Sequence, residues 1–99
     1  MVKVLVSGAL GRMGQTVVKA VLDDSELELV AAVDIKSASD IGEVVGAGKS
    51  GVAVNVDLEA AVKRTKPEVM VDFTQPHVVY KNACTAISLG VSPVIGTTG

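Results

Sequence analysis

Aromatic side chains are almost missing from this sequence: Phe73 and Tyr80 are the only two, with no tryptophan, in 99 residues. A core built around large rings is thereby excluded. The 48% apolar content has to pack as Val, Ala, Leu and Ile, and β-branched side chains of this kind suit strands held between helices. Cysteine is reduced to Cys84, which excludes an intrachain disulfide and fits a reducing compartment. One cysteine and one histidine, His77, cannot assemble a structural zinc site, so no metal is expected. Nine Lys and Arg stand against eleven Asp and Glu, for a formal charge of −2. No basic stripe is left to neutralise a row of phosphates, so no nucleic-acid partner is expected. No apolar run approaches the roughly 18 residues of a membrane span. Met1 leads straight into an apolar run without a signal-peptide pattern, and the expected location is the cytoplasm. The length supports one small domain.

The apolar runs alternate between two periods. Val2 to Val6, Leu27 to Val33, Val52 to Val56, Val69 to Phe73 and Val91 to Ile95 are short and Val-rich, as strands buried on both faces are. Between the first two, Met13, Val17, Ala20 and Val21 recur at helical spacing. Asp57 is placed to cap a short helix that turns Leu58, Ala61 and Val62 inward and stops at Pro67. A longer helix is expected from His77 to Leu89, with Val79, Ala83, Ala86 and Ile87 inside and Cys84 as a small core residue, ended by Gly90. Residues 35 to 51, broken by Ser37, Ser39, Gly42, Gly46 and Gly48, read as a mobile loop. Strands alternating with helices predict parallel pairing by right-handed crossovers, a doubly wound sheet in three α/β/α layers. No helix follows the last strand, so the chain reads as an incomplete domain, part of a longer protein.

The sharpest local signal is Gly8 to Gly14. Ala9-Leu10-Gly11-Arg12-Met13-Gly14 matches the G-x-G-x-x-G pattern with alanine in the first place. Gly8 and Ala9 allow a tight turn, Gly11 lets backbone approach a pyrophosphate, and Gly14 lets the helix sit close to the strand. The helix N-terminus offers free N–H groups and partial positive charge to an anion. Asp34 lies 20 positions beyond Gly14, where a carboxylate can accept hydrogen bonds from ribose hydroxyls. A Rossmann-like domain that binds a dinucleotide follows from strand, turn, helix and acid together. Asp34 disfavours a 2′-phosphate, Lys36 beside it favours one, and both NADH and NADPH stay open. Arg12 reads equally as a phosphate partner and as an exposed helix residue, and Lys36 equally as a solvated loop residue.

Two further strand ends face the same crevice in this topology: Asp72-Phe73-Thr74-Gln75-Pro76 and Gly96-Thr97-Thr98-Gly99. Small residues and hydroxyls there suit a flat amide-bearing ring. Phe73 by itself reads more readily as core. Asp72 is expected to cap a turn or hold a loop, and His77 to be an exposed helix residue, not a base.

Taken together, Gly8 to Gly14, Gly42-Glu43 with Gly46-Ala47-Gly48, Val71 to Pro76 and Val94 to Gly99 resemble the cofactor-binding part of the dihydrodipicolinate reductase family. The resemblance runs the length of the chain. It implies that Gly8, Ala9, Leu10, Gly11, Arg12 and Met13 cradle the pyrophosphate and that Asp34 holds the adenosine ribose. It implies a nicotinamide pocket of Phe73, Thr74, Gly96, Thr97 and Thr98. NADH or NADPH would be the cofactor, hydride transfer to a cyclic imine-type dicarboxylate in lysine and diaminopimelate synthesis the reaction, and a homotetramer the assembly. In a plant, a plastid would be the location. The chain departs from the family at Gln75 and Ile35, where basic residues are common. The family's His-His-x-x-Lys and Ser-Gly-Thr segments have no counterpart here, so no catalytic residue is expected on this chain. The dicarboxylate would bind only with the absent domain, and the chain alone is expected not to catalyse reduction. The competing readings are the first half of another dehydrogenase, such as a homoserine or inositol dehydrogenase, and a non-catalytic nucleotide module, which would not need Asp34 as a ribose acceptor. A folding fragment with no cellular role is a further reading.

Overall fold

The computed structural model describes residues 1–96. In chain order the elements are β1 (Val2–Ser7), α1 (Arg12–Asp23), β2 (Leu27–Val33), α2 (Ile41–Val44), β3 (Val54–Asn55), α3 (Leu58–Thr65), β4 (Val69–Asp72), α4 (Pro76–Ser88) and β5 (Ser92–Ile95). The strands form one sheet in the order β3-β2-β1-β4-β5, with every neighbouring pair parallel. This is the doubly wound arrangement that the alternating periods predict. The chain winds outward from β1 to β3, then returns past β1 to lay β4 and β5 on its other side. The strand order therefore reverses between β1 and β4, where the crossovers leave in opposite directions and open a crevice at the carboxyl ends of the strands.

Each face of the sheet has its own apolar cluster. Val4, Val6, Leu29, Ala32 and Val54 pack against Val18 and Val21 of α1 and Ile41 of α2. Leu5, Ala31, Val33 and Met70 pack against Ala61 and Val62 of α3 and Ala86 of α4. Along β1 the alternation is simple, because successive strand residues point to opposite faces. Along β2 the phase breaks. Val4 aligns with Leu29 but Leu5 aligns with Ala31, so Val30 is an extra residue, a β-bulge. The bulge puts Leu29 and Ala32 on the same face and brings Val33 level with Ser7.

Several expectations need correction. Helix α1 buries Gly14, Val18 and Val21, whereas Met13 and Ala20 are exposed. The helix is rotated from the expected face because Gly14 is drawn against the Gly8 turn. In α4 only Val79 and Ala86 are buried; Ile87 and Cys84 are exposed, since α4 meets the sheet along a narrow stripe at its β5 edge. The third strand is shorter than its apolar run, Val54–Asn55.

Residues 35 to 51 are ordered around one side chain. Asp40, 4% exposed, caps α2 and accepts hydrogen bonds at 2.7–3.3 Å from the backbone N–H groups of Gly42, Glu43, Ser50 and Gly51 and from Ser50 Oγ. One buried carboxylate thus closes the loop onto itself, and the glycines serve its turns instead of loosening it. Gly42 is buried there; a β-carbon on it would collide with the Gly48 carbonyl.

Candidate functional site

The crevice at the strand-order reversal starts with Gly8. Its φ of +79° lies in the left-handed region, which glycine enters without steric cost. Its N–H donates to the Val33 carbonyl at 2.8 Å, so the chain leaving β1 is tied to the end of β2. A β-carbon on Gly14 would run into the Gly8 carbonyl, so the helix can approach the turn this closely only with glycine in that place. Gly11 differs from both. Its φ is −73°, it is exposed, and a β-carbon there would meet nothing closer than Gly8 O at 3.4 Å. The fold alone does not require glycine at position 11.

Gly11 is also the N-cap of α1, and α1 has neither a side-chain cap nor an acidic residue in its first turn. Among the described residues no acceptor takes the N–H groups of Arg12, Met13 and Gly14. An uncapped helix end of this kind, approached past a residue without a side chain, fits a phosphate-bearing ligand.

Asp34 follows β2 and reaches back to the turn. Its Oδ2 accepts from Leu10 N at 2.9 Å and its Oδ1 from Ile35 N at 2.7 Å. A carboxylate has about four acceptor positions, so capacity remains on a half-buried side chain that faces the crevice. On the opposite wall Phe73 is half-buried, not core. Its ring lies where a β-carbon of Gly96 would be. Asp72 is fully buried. Its Oδ1 accepts from Thr74 N at 2.8 Å and Thr74 Oγ1 at 2.6 Å, and its Oδ2 from Asn82 Nδ2 at 3.0 Å. Asp72 thus holds the turn expected of it.

These walls enclose a cleft of about 1120 Å³ whose lining includes Gly8, Leu10, Gly11, Asp34, Lys36, Phe73 and Thr74. Cofactor pockets commonly hold roughly 300–1,000 Å³, so an extended dinucleotide has room. Seven of the expected site residues therefore share one cleft. Ala9 is buried in the core beneath it and can offer only backbone. Arg12 turns away: with Gln15, Thr16, Lys19, Val44 and Val45 it lines a separate hollow of about 530 Å³ between α1 and α2. Met13 is exposed and lines neither cleft. Gly96 reaches the site through the Phe73 ring, and Thr97 and Thr98 lie outside the described residues. Sequence reasoning missed Ser7 and Asn82, which also line the cleft. Asn82 follows Lys81 in a mixed polar and apolar stretch of α4, and no local pattern singles it out. His77 is an exposed residue at the rim.

Fold and crevice define a Rossmann-type, dinucleotide-binding class of domain. The family model for the N-terminus of dihydrodipicolinate reductase matches residues 2–99, and the chain belongs to that family. The 4-hydroxy-tetrahydrodipicolinate reductase of Methanococcus maripaludis strain C5 is 50% identical over the whole chain. That of Syntrophomonas wolfei is 44% identical over 98% of it. The solved structure of dipicolinate-bound dihydrodipicolinate reductase from Paenisporosarcina sp. TG-14 superposes with a TM-score of 0.81 at 35% identity, over all of this chain and 38% of that one. The chain spans 37–39% of the length of these curated relatives.

Proposed function

We propose that this chain is the NAD(P)H-binding part, residues 1–99, of a reductase that delivers hydride to a dihydrodipicolinate-type cyclic imine in lysine and diaminopimelate synthesis. The observation that carries the reading is Gly11: a glycine the fold does not need, at the uncapped end of α1, on the edge of the cleft that Asp34 and Phe73 also line. A ligand that must touch backbone accounts for it. The residues present fit the group. The N–H groups opening α1 would hold the pyrophosphate, Asp34 would accept from the adenosine ribose, and Phe73, Thr74 and Gly96 would border the nicotinamide. When bound, the nicotinamide supplies the hydride; this chain's own residues bind it, orient it and exclude water from one side.

The carboxylate-binding and proton-donating groups belong in this reading to a further domain, so the chain alone binds cofactor without turning substrate over. Among the described residues no helix is long and apolar enough to cross a membrane, which accords with a cytoplasmic enzyme. A homotetrameric parent stays part of the reading on the strength of the family.

Fluorescence titration with NADH and NADPH tests the proposal. Saturable binding of either supports it, and absence of binding by a chain folded by circular dichroism overturns it. Asp34→Ala should weaken both cofactors by tenfold or more on the order of one charge-assisted hydrogen bond. If Lys36 meets a 2′-phosphate, Lys36→Ala should weaken NADPH while sparing NADH.

A further inference from the structure

The buried polar cluster between β1, β4 and α4 does more than hold a turn. Asp72 and Ser7 are 0% and 1% exposed, and among the described residues no Lys, Arg or His lies within ion-pair distance of Asp72. A buried carboxylate without a cation depends on its hydrogen-bond donors. Here the donors are Thr74 N, Thr74 Oγ1 and Asn82 Nδ2. A carboxylate accepts only, so the Asn82 atom 3.0 Å from Asp72 has to be the amide nitrogen. The same nitrogen lies 3.4 Å from Ser7 Oγ. The hydroxyl proton of Thr74 and the amide protons of Asn82 are thus turned inward. Both residues line the cleft, and what remains to them there is the lone pairs of Thr74 Oγ1 and the carbonyl Oδ1 of Asn82, which has no partner among the described residues.

We infer that Asp72 and Asn82 are positioning residues that fix the Thr74 hydroxyl and the Asn82 amide as acceptors toward the cleft. This pair selects a donating group of the ligand, an O–H or N–H. The inference rests on the dinucleotide reading and deepens it. The start of α1 has free N–H groups at residues 12 to 14, which no acceptor takes among the described residues. A pyrophosphate has only acceptors to give and is directed to α1. A ribose hydroxyl or the carboxamide NH2 of nicotinamide is directed to Thr74 and Asn82.

The test is titration of the chain with NADH and with the reduced acetylpyridine analogue, in which a methyl group replaces the carboxamide NH2. Thr74→Val removes the acceptor and keeps the shape; it should raise the Kd for NADH about fivefold to tenfold, and Thr74→Ser should recover most of the loss. Asn82→Ala leaves the Thr74 hydroxyl in place but frees Asp72, and should give a smaller loss of the same kind. It also carries the test if the valine variant does not fold. If the donor is the carboxamide, the wild-type chain discriminates against the analogue and Thr74→Val does not. If it is a ribose hydroxyl, Thr74→Val loses affinity equally for both. Wild-type affinity for NADH in the folded variants, with only the urea midpoint lowered, would show a structural cluster and overturn the inference, as would failure of serine to rescue. Failure of the folded wild-type chain itself to bind NADH removes the dinucleotide reading and this inference with it.

Discussion

The three glycines of the β1–α1 turn have separate physical reasons, and substitution should separate them. Gly11→Val adds bulk where the protein has space. It should change unfolding free energy by less than about 1 kcal/mol and still weaken NADH binding by more than tenfold, as paired chemical denaturation and titration would show. Gly14→Ala drives a methyl into the Gly8 carbonyl and should cost about 3 kcal/mol of stability, with binding lost because the turn moves. If both variants lose stability alike, Gly11 is a structural glycine and the argument for a ligand at α1 weakens. Cys84 supplies an independent check on the exposure of α4. It is exposed, so in the folded protein it should react with a thiol reagent at nearly the rate of a small-molecule thiol. Protection until unfolding would place it in the core that its apolar neighbours suggest.

Among the elements, the segment from Asp40 to Gly51 depends most on one group. The N–H and hydroxyl donors around Asp40, those of Ser50 foremost, hold its carboxyl well below the ordinary value of 3.8. A depressed folded-state value means that the ionised form contributes stability above the ordinary value, and that this contribution drains away as pH falls from there toward the folded one. The urea midpoint should therefore drop between pH 5 and pH 3. Asp40→Ala should lower the midpoint at pH 7 and flatten that part of the acid slope. An unchanged slope would mean that other carboxylates carry it. The strand and helix periods of the chain were legible because each is a local pattern: the bounds of β2 coincide with its apolar run, Leu27–Val33. The Asp40 clamp was not legible, since composition counts the glycines and serines of the segment but not the carboxylate that gathers their N–H groups.

At the scale of the whole molecule, stability is divided between the two faces of the sheet. Leu5 and Met70 are fully buried on the α3–α4 face, and with so few large side chains each matters. Leu5→Ala should cost about 3 kcal/mol, a large part of the roughly 5–15 kcal/mol available to a small domain. Cofactor affinity per folded molecule should be unchanged, because Leu5 does not line the cleft; a loss of affinity at full folding would show that the core face and the site are coupled.

The sequence by itself determined the alternation of strands and helices, the glycine turn, and the acid at the end of the second strand. These are properties of backbone conformation and of spacing along one stretch of chain, which local chemistry dictates. Tertiary structure alone decided the rest: that α1 turns Val18 inward and not Met13, that Arg12 leaves the cleft, and that a bulge at Val30 brings Val33 level with Ser7. It alone joined Asp72, Asn82 and Ser7, whose farthest members lie 75 residues apart. Contacts of that range are set by how the crossovers stack the sheet, and no periodicity along the chain encodes them.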